Sequence, residues 1–457
     1  MKRIVFIALT MILVIGTFIR AYLAPYSSGS DIPQFLGFAD TMLRRGLKFY
    51  DYASSNVIEK WPYPWPYIYG PLWAIILGFI RYYFASRAYT YTYWIDNTYY
   101  VKVSVDWIMA VKSILILADM LNYVLIYLVA LRITGKTKYA LLASTLYFLN
   151  PMVIYISGIY GMFDQLALTP MLISLYLLLS NAKELMLRKM LAIGMIIGIS
   201  LMIKHILLPI IPFMLIYIAK RISLKNALTL LLGIFTSIIA IMAPFVIFSD
   251  KGISYLISLF TYPLNTYYVE PLCYSFNGIS SLITYIHKYH GVELSFLLKF
   301  WILPFLILSI AILYVLLRYR VSLTLLLTLS YLIYIATYWR INHQYFVPLI
   351  AFMSLALIHI LYPRTTGKTK LFTCLSMVIL YVAISFWVFM YPISFWFHTH
   401  MENPNWELVR LLDSLSLMIF SEECYLIYAL ILTILEYTCI IVLINYIRKT
   451  SPRLKQQ

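Results

Sequence analysis

The stretch SSGSDIPQFLGFADTMLRRGLKFYDYASSNVIEKWPYPWPYIYGPLW, Ser27–Trp73, separates a first apolar segment from a chain that is otherwise almost wholly apolar. It is the longest early interval in which charge and aromatic rings replace Leu and Ile. Asp31, Asp40 and Asp51 punctuate it, with Arg44, Arg45 and Lys48 between the last two. Phe35 to Tyr50 reads as an amphipathic helix. In WPYPWPYIYGP several prolines forbid helix, and the Trp and Tyr rings suit a membrane–water interface. Since nearly everything beyond belongs in a bilayer, any chemistry should gather around this loop.

Composition sets the class. Of 457 residues, 63% are hydrophobic and 12% charged, and the mean hydropathy is +0.85. Repeated apolar runs near the ~20 residues that span hydrocarbon give an all-α, polytopic transmembrane protein. The net charge of +17 does not point to nucleic acid, because the bases sit in short inter-helix loops and form no continuous basic face. The four cysteines show no CxxC or His-associated metal spacing. Cys374 and Cys439 lie inside apolar runs. Cys273 and Cys424 fall in loops on one side, which allows a disulfide without requiring it. The amino terminus has the basic start and apolar core of a signal peptide, and is expected to stay attached as a signal anchor.

Charge also predicts topology. Seven short segments hold 20 of the 35 Lys and Arg and a single acid, Glu184. They are Lys2–Arg3, Arg132–Lys138, Lys183–Lys189, Lys220–Lys225, Arg318–Arg320, Arg364–Lys370 and Arg448–Lys455. The positive-inside rule places all seven, with both termini, in the cytoplasm. The run 67–85 then does not cross, since a crossing would put Arg132 outside, and it is expected to lie as a re-entrant or surface helix. The crossings are 4–24, 107–131, 139–157, 166–180, a hairpin within 190–219 turning near Lys204–Pro212, 226–248, 295–317, 321–338, 345–362, 371–391 and 425–447, about twelve in all. The Tyr-rich segment 89–100 is read as an external interfacial belt. Two modules are expected, 1–248 with the first external loop 25–106, and a second at 249–457.

This topology sends the unusual polar residues to one face. Asp31 follows the first span, Asp164 sits in GIYGMFD, Lys204 and His205 occupy the hairpin tip, and Arg340, Asn342 and His343 lie in WRINHQ. The pattern resembles the GT-C glycosyltransferases, polytopic enzymes that use a polyprenyl-phosphate sugar as donor. The features are Asp31 soon after the first span, an amphipathic helix ending in Gly46–Tyr50, and Tyr69-Gly70-Pro71-Leu72 opening the next apolar run. LNPMVIYISGIYGMFDQLAL resembles the family's N-P…WGQFD segment, with Tyr160 for its Trp and Met162 for its Gln. LMIKHILLPIIP resembles its Lys-Pro segment, with His205 where Pro is commoner, and WRINHQYFVPLI resembles a later basic-and-His segment. The likeness covers roughly 20–215 well and 335–350 weakly.

The resemblance implies GT-C-like architecture with external juxtamembrane helices, and a probe of function follows from it. The expected activity is inverting transfer of a hexose, mannose or glucose, from a polyprenyl-phosphate donor to a lipid-linked or cell-surface glycan acceptor outside the membrane. Asp31 would be the catalytic base. Asp164, Lys204, His205, Arg340 and His343, with Arg44 and Arg45, would bind substrate, the cations meeting phosphate. Apart from the donor substrate no cofactor is implied with certainty, and no DxD pair in the external loops supports the divalent metal of some relatives. Partners are membrane lipids, the donor and a glycan or glycolipid acceptor. Plainer readings stand beside these. Asp31 can be a solvated carboxylate or the N-cap of the Phe35 helix, Asp164 a cap, and Lys204 and Arg340 snorkelling cations. Lys112 and Asp119 read as a polar contact between helices. The alternative function is a transporter or lipid flippase, which usually advertises repeated halves or broken helices at the midplane; a further alternative is a structural subunit of a glycan-modifying complex.

Overall fold

A computed structural model describes residues 2–26, 28–29, 31–53, 66–95, 98–179, 186–262, 278–362, 367–390 and 422–452, together with residues 407, 410, 411 and 414. The first helix, α1 (Lys2–Leu23), leads into α2 (Asp31–Arg45), in the polar stretch that follows the first apolar segment. Next come α3 (Pro71–Tyr83), a two-stranded antiparallel hairpin of β1 (Thr90–Ile95) and β2 (Thr98–Val103), and the long α4 (Val105–Thr134). The broken pair α5 (Thr137–Phe148) and α6 (Pro151–Ile154) continues as a π-helix over Tyr155–Tyr160. Then follow α7 (Asp164–Leu178), α8 (Leu187–Ile203), α9 (Ile211–Arg221) and α10 (Leu224–Phe248). The remaining helices are α11 (Gly252–Thr261), α12 (Gly278–His290), α13 (Ile302–Arg318), α14 (Leu323–Thr337), α15 (Phe346–Leu361), α16 (Lys368–Met390) and α17 (Glu422–Thr450). The chain is an all-α, multi-pass integral membrane protein.

Among the described residues seven helices are long and apolar enough to cross a membrane, and α5 with Pro151–Tyr160, bent by 51°, makes an eighth if counted as one broken span. The twelve crossings read from charge are not reached by this measure. The four left over are α7, α8, α9 and α14, with 15, 17, 11 and 15 residues. At about 1.5 Å per residue each falls short of a ~30 Å core. Nearly all of α14 and α15 is buried, so they form the bundle's centre and present little surface to lipid.

The helix directions follow from glycine contacts. A Cβ on Gly194 would lie 2.1 Å from the Leu230 carbonyl, and one on Gly198 would lie 2.8 Å from that of Ile234. Residue numbers rise together along both helices, so α8 and α10 run parallel, packed through small residues four apart. The intervening α9 must therefore return, as the hairpin reading requires. Basic segments gather at one bundle end. Arg221 Nη2 donates to the Tyr319 carbonyl (3.2 Å), Arg320 N to that of Pro452 (3.0 Å), and Lys449 Nζ to Thr369 Oγ1 (3.3 Å). Tyr139 meets Tyr362 edge-on.

The described residues of the stretch after α1 fold into a layer at the opposite end. The 13 residues of α3 cover only ~20 Å, too short to cross, and Arg81 Nε on α3 pairs with Asp40 Oδ1 on α2 at 2.8 Å. Tyr67 does not sit at an interface as its sequence suggests. Tyr67 lies edge-on to Phe38 and Phe49 (4.9 Å each), and Trp73 stacks on Phe163 at 4.7 Å, all buried. The Asp51 carboxylate accepts from Ser249 Oγ (2.6 Å) and Asp250 N (2.8 Å), tying this layer to the chain after α10. The Tyr-rich belt is in fact the hairpin, whose register pairs Thr90 with Val103. The two-residue alternation of TYTYWI explains it. Cys273 lies outside the described residues, and with it the Cys273–Cys424 pairing.

Two buried cations brace the bundle beneath this layer. Arg20 Nε reaches Asp119 Oδ2 (3.1 Å) and Ser157 Oγ (3.0 Å), and its Nη2 donates to the Phe148 carbonyl (2.8 Å) freed where α5 breaks. Lys112 Nζ donates to the carbonyls of Ala24 and Gly158, each at 2.9 Å. Lys112 and Asp119 thus serve separate contacts along one face of α4.

Candidate functional site

Asp31 is positioned by the crossing of two backbone segments. Gly29 N donates to the Tyr160 carbonyl, and a Cβ on Gly29 would meet the Tyr160 ring at 2.5 Å, so only glycine allows this approach. The Trp107 indole N–H holds the Ile32 carbonyl at 2.9 Å. Tyr160 ends the π-helix, and Gly161 turns the chain back with φ 90°, a conformation glycine adopts without strain. The Tyr160 hydroxyl then donates to Asp31 Oδ2 at 3.3 Å. Burial raises the Asp31 pKa above the ordinary carboxylate value, while the charges of Lys204 and Arg340 and the Tyr160 hydrogen bond pull it back. Asp31 is the first residue of α2 itself, with its carboxylate lining a cavity.

Lys204 ends α8 in an extended conformation, and Pro209 and Pro212 keep the following turn, His205–Ile210, from continuing as α-helix. Its ammonium is 2.7 Å from Asp164 Oδ2, with both side chains buried. It also lies 4.8 Å from the Phe163 ring centre and 5.5 Å from those of Tyr69 and Tyr345. Tyr69 is brought there by Gly70, where a Cβ would collide with the Met202 carbonyl at 2.0 Å. Lys204 is therefore not the lone helix-end cation of the sequence reading; Asp164 neutralises it within an aromatic cage.

The cavity encloses about 600 Å³. Asp31, Lys204, His205, Arg340, Asn342 and Gln344 form its polar end. From there an apolar arm runs between α9 and α13, with Phe213 and Ile216 on one side and Phe305, Ser309 and Leu313 on the other. Those last three recur every four residues, so they share one helix face over ~12 Å. Residues on both sides of position 248 line the cavity.

His205 lies in the turn between α8 and α9. Burial and the Lys204 charge lower its pKa to about 4, so its imidazole is neutral at ordinary pH. Its ring is tilted 33° to that of Tyr69, 6.4 Å away.

Four expected site residues do not line the cavity: Asp164 is wholly buried against Lys204, and three more are placed elsewhere. His343 is buried behind Tyr160, ring centres 4.3 Å apart, and does not line the cavity. Arg44 and Arg45 stand exposed at the far end of α2, ~20 Å along the helix from Asp31. The Arg45 guanidinium lies over the Tyr52 ring at 3.9 Å. The sequence reading missed Tyr160, Gln34 and Gln344; for Tyr160 the signal was its place two residues before Met162-Phe163-Asp164. Among the described residues no three His, Cys, Asp or Glu side chains group as metal ligands. Among the described residues two carboxylates lie near the polar end, and Lys204 occupies Asp164, so this set does not fit a divalent metal.

No family model matches the chain, and the comparison with curated proteins found no match. Among solved structures it is similar to two crystal structures of ArnT from Cupriavidus metallidurans, one bound to undecaprenyl phosphate and one in the apo state. Each shares 12% identity, with a TM-score of 0.48, over 96% of this chain and 77% of that one.

Proposed function

We propose that this chain is a membrane glycosyltransferase that moves a hexose, mannose or glucose, from a polyprenyl-phosphate donor to a lipid-linked or cell-surface glycan acceptor at the external face. One observation carries the reading: a single cavity joins a carboxylate and a guanidinium, Asp31 and Arg340, to an apolar arm between two helices. The arm suits a prenyl tail, and the polar end suits its phosphate and sugar.

In this reading the acceptor hydroxyl gives its proton to Asp31 as its oxygen bonds to the anomeric carbon. The bond from that carbon to the phosphate oxygen breaks, and polyprenyl phosphate leaves with the electron pair. Arg340 holds the charge it carries away. Attack opposite the phosphate inverts the anomeric centre. A raised pKa brings Asp31 nearer to the working pH, where a general base is most effective. Lys204, held by Asp164, adds its field without releasing its ammonium. The transporter or flippase reading needs ionisable groups along a path through the bundle. Arg20, Lys112 and Asp119 are instead engaged with backbone carbonyls and with each other's helices, which favours the enzyme.

The test is direct. Purified protein is incubated with polyprenyl-phosphate mannose or glucose and lipid-linked acceptors, and products are weighed by mass spectrometry. A mass gain of one hexose on an acceptor is expected. Absence of any transfer, with lipid flux across protein-containing vesicles, would replace this reading by the flippase one.

A further inference from the structure

His205 has an unusual standing in the cavity. It lines the wall, and among the described residues its imidazole makes no hydrogen bond; Nδ1 is buried without a partner. A buried polar nitrogen left unpaired is costly, so such groups in native proteins normally meet a partner, water or ligand. The order of residues along the wall locates that ligand. Lys204 stands at the polar end, His205 follows, and Leu208, Pro209, Pro212, Phe213 and Ile216 continue into the apolar arm. A lipid whose tail fills the arm therefore presents its head group where His205 begins.

Resting on the glycosyltransferase reading, we infer that His205 is a specificity residue that hydrogen-bonds a hydroxyl of the donor's sugar, with the Tyr69 ring as the adjoining wall. A phosphate is the other group within a donor head. A neutral imidazole grips a phosphate poorly compared with the guanidinium of Arg340, whereas it can both donate to and accept from a hydroxyl. The Tyr69 ring, tilted only 33° from the imidazole, offers an apolar face against which sugar C–H groups can pack.

The experiment compares binding of undecaprenyl phosphate and of its glucose- and mannose-bearing counterparts to full-length wild type, His205→Ala and His205→Gln in lipid nanodiscs. Wild type should hold at least one sugar-bearing lipid about three- to tenfold tighter than the bare lipid. His205→Ala should abolish that preference while keeping bare-lipid affinity, which also reports that the variant is folded. His205→Gln should retain part of it, because its amide offers both a donor and an acceptor. If His205→Ala keeps the full preference, or loses bare and sugar-bearing lipids alike, the assignment is overturned. Equal binding of all three lipids by wild type overturns the His205 subsite alone. No binding of any overturns the glycosyltransferase reading with it.

Discussion

Lys204 Nζ lies 2.7 Å from Asp164 Oδ2, and both side chains are almost wholly shielded from solvent. The contact joins the end of α8 to the start of α7 across 40 residues of sequence. It changes the assignment of charge at the cavity's polar end. Two cations there act on Asp31, but one of them already has a carboxylate. The proposed phosphate contact is therefore assigned to the Arg340 guanidinium, which lines the cavity.

Breaking this pair should cost more than removing it. Asp164→Asn strands a buried ammonium, and loss of one partner of a buried pair typically costs about 3–5 kcal/mol. Lys204→Met strands the carboxylate in turn. The double variant should recover most of the loss in thermal unfolding followed in detergent. Strictly additive destabilisation would mean that the two side chains are not coupled.

Asp31→Asn should lower turnover by about 10²–10⁴-fold, the usual cost of losing a positioned base, while donor binding survives. Asp40→Asn is the control, since Asp40 pairs with Arg81 at the partly exposed seam between α2 and α3. Near-normal turnover in Asp31→Asn, or a larger loss in Asp40→Asn, would reassign the base.

The sequence carried the class and much of the arrangement, because both rest on hydropathy and charge, which act locally. Long apolar runs announce helices, and the parity of the basic loops singled out the run that holds α3, whose 13 residues cover only ~20 Å. Asp31, Asp164, Lys204 and Arg340 were each visible as polar residues at helix ends; Asp31, Lys204 and Arg340 line one cavity, and Asp164 lies buried behind Lys204. Pairwise contacts were not legible. Nothing in the local spacing says that Lys204 is taken by Asp164, or that Tyr160 ends a π-helix with its hydroxyl on Asp31. His343 looked available because its neighbours Arg340 and Asn342 are, yet alternate residues of a tight turn face opposite ways. Arg44 and Arg45 were drawn in by proximity along the chain, although a helix of α2's length carries its two ends ~20 Å apart. The hairpin of β1 and β2 was hidden because tyrosine suits both a strand and a membrane interface.

Tyr160→Phe should move the acid limb of the rate upward in pH. In the proposed mechanism Asp31 works ionised, so activity falls as pH drops through its pKa. The Tyr160 hydroxyl stabilises that ionised form and lowers the pKa; without it the pKa rises. The kcat/KM profile of the variant should therefore fail at a higher pH than that of wild type and converge with it on the alkaline side. A limb that stays put or shifts to lower pH would show that Tyr160 does not touch the titrating group.

Arg340→Gln should weaken binding of undecaprenyl phosphate by about ten- to a hundredfold, the range for losing a hydrogen bond to a charged group. Arg44→Gln with Arg45→Gln should leave it unchanged, because neither lines the cavity. The reverse ranking would return the phosphate to the far end of α2.

The apolar arm yields the last prediction, at Ser309, a small side chain midway along it with Phe305 and Leu313 a turn to either side. Acyl chains of the surrounding bilayer are as apolar as the arm itself, so the arm gains little affinity by holding a tail. In the proposed mechanism what it supplies is alignment of the head at Asp31. Ser309→Trp fills the arm at its middle and forces a long tail out of line. A misplacement of about 1 Å at the reacting atoms costs about 10²-fold, so kcat for an undecaprenyl-linked donor should fall by that order. A citronellyl-linked donor, whose much shorter tail fills less of the arm, should lose far less. Equal loss with both donors would mean the substitution has disturbed the polar end, and no loss with either would place the tail outside this arm.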